Sequence, residues 1–188
     1  MLTPGDLAKF VSTDVGRARM ARQWSRGEFT YATNGHIMVR IPRLAEVPEC
    51  SDAPDVEGIV MPLLADQTET APLPAYELPK VDKNECRTCE GRGLEHDCPD
   101  CECKCDDCDG TGGGVRAQIS IGMFGAIYKL DYIKLLWMTL PGLRFSVRPP
   151  KEGPAKFIFD GGGVGAIMPM SSPYQHHIEI APSDCEPL

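Results

Sequence analysis

Apolar residues recur along this chain in two rhythms, and the switches between them divide it into elements. Leu7, Phe10 and Val11 keep helical spacing behind Thr3-Pro4-Gly5-Asp6. There a threonine cap, a proline in the first turn and an early carboxylate mark a helix start. The spacing predicts a helix reaching residues 14–16. Residues 18–24, 29–33 and 36–41 then read as strands, separated by Ser25-Arg-Gly27 and Asn34-Gly35. Asn-Gly between β-rich runs is a strong hairpin signal. Residues 42–85 are rich in Pro, Asp and Glu and read as linker with one short apolar strand at 58–64.

Beyond a cysteine-dense window, residues 115–121 alternate as a strand. Residues 130–140 form a predicted helix with Ile133, Leu136 and Trp137 on its apolar face, stopped by Pro141-Gly142. Strands follow at 143–147, 155–159 and 164–168, and residues from 171 onward are less regular. The run Asp160-Gly-Gly-Gly-Val-Gly165 lies between two of these strands and opens no helix, so it reads as a β-turn and not as a phosphate loop. The order of elements predicts an α+β domain with two helices packed on an antiparallel sheet.

Charge is unevenly spread. The net charge is −8, yet residues 1–45 carry +4, residues 46–114 carry −13 and residues 115–188 carry +1. So acidic a centre is a poor grip for phosphates and suits a protein contact with a basic partner. No apolar run approaches the roughly 18 residues that span a membrane. Met1-Leu-Thr-Pro has neither the basic start nor the apolar core of a signal peptide, so a cytoplasmic protein is expected.

The densest chemistry lies between Cys86 and Cys108, which hold seven of the nine cysteines. The phrase C-x-x-C-x-G-x-G occurs twice, as Cys86-Arg-Thr-Cys89-Glu-Gly-Arg-Gly93 and Cys105-Asp-Asp-Cys108-Asp-Gly-Thr-Gly112. Each pair offers two thiolates to one metal, and two pairs complete a tetrahedral zinc site. Repeated C-x-x-C in a cytoplasmic chain favours metal over disulfides, and Gly and Asp crowd out the helix that a thioredoxin-like redox motif opens. Cys98, Cys101, Cys103 and His96 remain as a candidate second, Cys3His site, although separations of one and two residues crowd the ligands. One or two Zn2+ ions are therefore expected. Cys50 and Cys185 lie outside the window and read as free thiols.

The duplicated phrase resembles the cysteine-rich zinc domain of DnaJ-type cochaperones. The resemblance covers residues 86–112, and that family has four copies where this chain has two. It implies a zinc hairpin with a protein-contact surface; no J-domain signature accompanies it.

Four further segments are similar to the bacterial DNA sliding clamp, the β subunit of the replicative polymerase. Tyr31-Ala-Thr-Asn-Gly-His36 looks like the family's T-D-G-H hairpin, and Asp14-Val-Gly-Arg17 like the D-x-x-R that precedes it. Residues 127–136, Ile-Tyr-Lys-Leu-Asp-Tyr-Ile-Lys-Leu-Leu, look like the F-N-x-x-Y-L-x-x-x-L start of a clamp helix. Ala166-Ile-Met-Pro-Met170 looks like the V-I-M-P-M ending of the last clamp domain. The resemblance implies a single clamp-like domain over 1–79 and 115–170, a zinc-binding insertion over 80–114, and a tail over 171–188.

It also implies two surfaces. A peptide pocket maps onto Thr33, Gly35, His36, Met38, Ile167, Met168, Pro169 and Met170. Its two halves are expected at different edges of the domain, so that head-to-tail self-association would rebuild it. A DNA-facing surface maps onto Lys9, Arg17, Arg19, Arg22 and Lys134, with Arg26 as an extension. A clamp chain has three such domains where this chain has one, and the family's Arg after His is Ile37 here.

The function expected is a clamp-like accessory protein of DNA replication or repair, with a phage or mobile element as candidate source, acting as ring subunit or docking scaffold. The alternative is a monomeric zinc-containing interaction or inhibitor module that does not encircle DNA. Replication or repair proteins are the expected partners, with weak, non-specific duplex binding through phosphates. No enzyme is expected: all-cysteine zinc leaves no open coordination position, and His176 and His177 lack a carboxylate or nucleophile at a motif spacing.

Overall fold

The computed structural model describes residues 2–73, 119–150, 153–173 and 176–179, together with positions 89, 90, 92 and 94. The described residues form an α+β fold with a large antiparallel sheet and few helices. The strands are β1 (Trp24–Arg26), β2 (Phe29–Thr33), β3 (Ile37–Pro42), β4 (Thr70–Pro72), β5 (Ile119–Met123), β6 (Ala126–Lys129), β7 (Arg144–Ser146), β8 (Ala155–Phe159), β9 (Gly163–Ile167) and β10 (His176–Glu179). The helices are α1 (Pro4–Leu7), α2 (Val56–Ile59) and α3 (Leu130–Thr139). One sheet has seven strands in the order β1-β2-β3-β9-β8-β7-β4, antiparallel throughout; the other has three, β10-β5-β6.

Strand alternation sends apolar side chains to both faces of the larger sheet. On one face Ala32, Ile37, Val39, Ile41, Phe157, Phe159 and Ile167 join Leu7, Phe10, Ile121, Tyr128, Ile133 and Leu136 in the main core. On the other face Trp24, Tyr31, Met38 and Ala166 pack against Val56 and Leu64. Trp24 and Tyr31 stack with ring centroids 5.7 Å apart. β9 carries glycines where β8 carries rings. A Cβ on Gly165 would sit 2.1 Å from the Phe157 ring and 2.6 Å from the Met38 carbonyl oxygen, so Phe157 lies flat across β9 only because Gly165 has no side chain.

Several predicted elements change type. Asp6 caps α1 in reciprocal fashion with Thr3, as the sequence signals, but the helix ends at Leu7 and continues only as a 3-10 turn through Phe10. Residues 15–20 form a 3-10 helix where a strand over 18–24 was expected; only Trp24 enters β1. The expected strand at 58–64 is helical, α2 followed by a 3-10 turn over Met61–Leu64. There Asp55 caps α2, and Val56, Ile59, Val60 and Leu63 follow i, i+3, i+4, i+7 spacing, a helical signal that Pro62 obscured. β6 and β10 are additions. The described part of the strand expected at 115–121 begins at Ile119.

The glycine run does form a turn, between β8 and β9, with φ of +82° at Gly161 and +76° at Gly162. On α3, Ile133 and Leu136 are buried as expected, whereas Trp137 stays half-exposed and lines a cleft of about 300 Å³ with Leu73, Leu140 and Leu143.

Candidate functional site

The β2–β3 turn is built from side-chain-to-backbone bonds. Thr33 Oγ1 accepts from the Gly35 amide at 3.1 Å and donates to the Ile37 carbonyl at 2.7 Å. Asn34 Oδ1 accepts from the His36 and Ile37 amides, both at 2.9 Å. Gly35 holds φ +88°, a backbone conformation that favours glycine, and a Cβ there would displace the end of the Arg17 side chain, whose Nη1 would stand 2.6 Å away.

Arg17 fastens the preceding 3-10 helix to this turn. Its Nη1 donates to the Asn34 carbonyl at 2.7 Å and lies 3.4 Å from His36 Nδ1, while its Nε stands 3.6 Å from the Asp14 carboxylate. The His36 ring packs on Tyr132 of α3, centroids 5.6 Å apart. On its other side, His36 offers its carbonyl to the Met168 amide at 2.8 Å, just beyond the Ile37↔Ile167 pair of β3 and β9. Two residues on, the Met170 amide donates to the Ile127 carbonyl at 2.7 Å and so links the end of β9 to β6.

A groove of about 420 Å³ opens beside this turn. Thr33, Gly35, His36, Met38 and Met168 line it, joined by Met20 from the 3-10 helix. The facing wall is Val56, Ile59, Val60 and Leu63. Ile59, Leu63 and Met168 leave 66%, 55% and 42% of their surface to solvent, an exposed apolar cluster next to a concave apolar floor.

The far wall is tied to the sheet by polar contacts. Glu57 accepts from the Tyr31 hydroxyl and from Arg40 Nη1, the latter at 3.0 Å. Burial works to raise the Glu57 carboxyl, but the Tyr31 and Arg40 hydrogen bonds outweigh it and hold the group below its ordinary value. Burial, then the neighbouring carboxylate, pushes the Tyr31 hydroxyl upward. Arg26 adds an ion pair to Asp55 at 3.4 Å.

Five of the eight residues mapped to a peptide pocket therefore meet in one groove. The expectation that its halves lie at different edges is corrected: β3 and β9 are adjacent strands, and one chain closes the groove unaided. Ile167 is instead buried in the main core, and Pro169 and Met170 turn away toward β6. Met20 and the α2 wall were missed. The spacing of Val56, Ile59, Val60 and Leu63 is the signal that would have found the wall.

Of the candidate phosphate contacts, Lys9 pairs with Asp6 at 3.1 Å and Arg17 is engaged by the turn. Arg19 and Arg22 are exposed beside Met20, and Lys134 is half-buried on α3. His176 and His177 fall in β10.

Of the metal candidates, Cys86, His96, Cys98, Cys101, Cys103, Cys105 and Cys108 lie outside the described residues, as does Cys185. Cys89 is buried. Its carbonyl accepts the Arg92 amide at 3.0 Å, and Glu90 between them holds φ +52°. A tight turn thus follows Cys89 directly. Among the described residues no three His, Cys, Asp or Glu side chains converge on a metal position. Cys50 forms no disulfide; its thiol donates to Asp52 at 2.7 Å.

No protein-family model, curated protein or solved structure matches the chain. Among the described residues no helix is long and apolar enough to cross a membrane.

Proposed function

We propose that this chain is a non-catalytic docking scaffold of DNA replication or repair, a sliding-clamp-like domain that captures a short apolar peptide of its partner in the groove beside Gly35. One observation carries the proposal. The four segments similar to the clamp are scattered from residue 14 to residue 170, yet Arg17, His36, Tyr132 and Met168 meet around one hairpin turn. Flexible methionines at 20, 38 and 168 suit a site that adapts to its ligand.

A second reading, the monomeric interaction module, is favoured by a separate observation: the groove is complete within one chain, so no ring is needed to build it. Light scattering with and without circular duplex DNA separates the two. A ring-sized oligomer supports the clamp subunit, and a monomer supports the module.

Zn2+ belongs to this proposal as a structural ion. Cys86, Cys89, Cys105 and Cys108 would hold the first, and Cys98, Cys101, Cys103 with His96 a second; bound zinc would close the insertion as a folded unit.

The docking role is tested by selecting a random short-peptide display library on the full chain, with Met168→Glu as counter-target. Apolar peptides enriched on the wild type and lost on the variant are expected. No enrichment on the folded wild type would overturn it.

A further inference from the structure

The far wall of the groove is fastened at both ends, and the second fastening is one buried side chain. Glu57 holds the α2 end to β2 and β3. At the other end stands Gln67, which is buried. Its Nε2 donates to the Leu63 carbonyl at 3.1 Å and to the Pro154 carbonyl at 2.9 Å, and its Oε1 accepts the Lys156 amide at 2.8 Å. Leu63 and Pro154 both line the groove. Lys156 lies one residue past the last β7–β8 pair, Phe145↔Phe157, and pairs on its other side with Ala166, which also lines the groove. One amide group thus bonds the wall, the end of the groove and the strand beside its floor.

A primary amide suits this place because it offers two N–H donors and one acceptor oxygen. Two carbonyls face the Gln67 nitrogen and one amide faces its oxygen, so only one orientation of the group satisfies all three. A charged glutamate would turn an oxygen toward two carbonyls. A methionine of similar length would leave three backbone groups without these bonds. Gln67 does not itself line the groove, so its effect on a ligand passes through the residues it holds.

We propose that Gln67 is the positioning residue of the groove: it fixes the Leu63 end of the wall against β8, so that the site stands formed before a partner arrives. The inference rests on the docking role proposed above. Without Gln67 the α2 end stays tied through Glu57, while Leu63 loses its link to the loop at Pro154. The wall then holds its groove position for only part of the time, and the partner must wait for that fraction.

Binding kinetics separate this role from a lost contact. The probe is a peptide from the display selection above whose binding Met168→Glu abolishes. If the wall of Gln67→Met stands in place about a tenth of the time, the peptide associates about tenfold more slowly and dissociates unchanged. Leu63→Ala, which removes a contact, should instead speed dissociation. Gln67→Glu gives a second signature. Protonated in mild acid, its carboxyl can donate to one carbonyl and accept from Lys156, so association should recover on acidification, unlike that of Gln67→Met.

Amide hydrogen exchange of the free proteins needs no peptide. The Leu63 and Ala65 amides, which donate to Val60 and Pro62, should be protected in the wild type and exchange faster in Gln67→Met, with β8 and β9 unchanged. Wild-type association by Gln67→Met, a change confined to dissociation, or a Gln67→Glu profile that matches Gln67→Met would each overturn the inference and leave the docking role intact. Unprotected wall amides in the wild type would also overturn it, and that measurement decides alone should the variants not fold. Exchange as expected, with no groove-dependent peptide enriched, would sink the docking role and leave the hold of Gln67 on the wall.

Discussion

The Met168 amide donates to the carbonyl of His36 at 2.8 Å, so the end of the β2–β3 turn is bonded to the residue that follows β9. This bond uses backbone atoms only. It holds whatever side chain stands at 168, which separates the groove's surface from its framework. Met168→Glu and Leu63→Glu are therefore expected to abolish peptide capture while changing stability by less than about 1 kcal/mol, since both side chains are largely exposed. Thermal melts alongside peptide anisotropy check the pair of outcomes.

Gly35→Ala should destabilise the domain by about 1–3 kcal/mol, from strain at a positive φ and displacement of Arg17. Arg17→Ala removes that displacement. A double-mutant cycle by urea denaturation should thus find the two substitutions sub-additive, with the double variant more stable than the sum predicts.

Phe157→Ala should cost about 3–5 kcal/mol, because the ring is fully buried and packs across Gly165 between two other rings. Gly165→Ala should also destabilise, by overpacking against Phe157 and the Met38 carbonyl. Denaturant midpoints of both variants check this.

Glu57 is held below its ordinary value in the folded protein, so its contribution is present above about pH 4.5, the unfolded value, and is lost as pH falls through the lower folded value. Glu57→Gln should therefore melt below the wild type at neutral pH, and the gap should close on acidification. A gap that widened in acid would contradict the Tyr31–Glu57–Arg40 arrangement.

Protein purified under reducing conditions should carry one or two zinc ions per chain by metal analysis, and Cys105→Ser should lower that content while sparing the α+β core. Retention of full zinc by this variant would remove Cys105 from the ligand set.

The sheet was legible where apolar alternation was bounded by committed turn residues. Phe29 to Ile41 with Asn34-Gly35, and residues 155–168 with Gly161-Gly162, are such stretches. The errors came where local signals conflict. Residues 18–24 alternate, but Asp14 caps a 3-10 helix and Arg17 fixes it on the hairpin, a contact across 17 positions that no local pattern encodes. At 58–64 a proline and a β-branched run masked a helix whose apolar face is complete. Half of the groove wall was hidden by that single misreading. The other half was visible in the residue types, but its assembly was not, because strand order is a tertiary fact.

The pairing of Ile37 with Ile167 joins positions 130 apart, at the middle of the larger sheet. Contacts so distant in sequence close slowly, since the loop entropy must be spent before the strands are rewarded. During synthesis β1, β2 and β3 emerge with one long edge bare and wait for β9, the last strand of this sheet to be made. The groove cannot exist in any shorter nascent fragment, so a partner could engage only molecules whose translation has passed Met168. Docking would then report on completion of the fold, and a premature stop anywhere before β9 would yield a product unable to compete for partners.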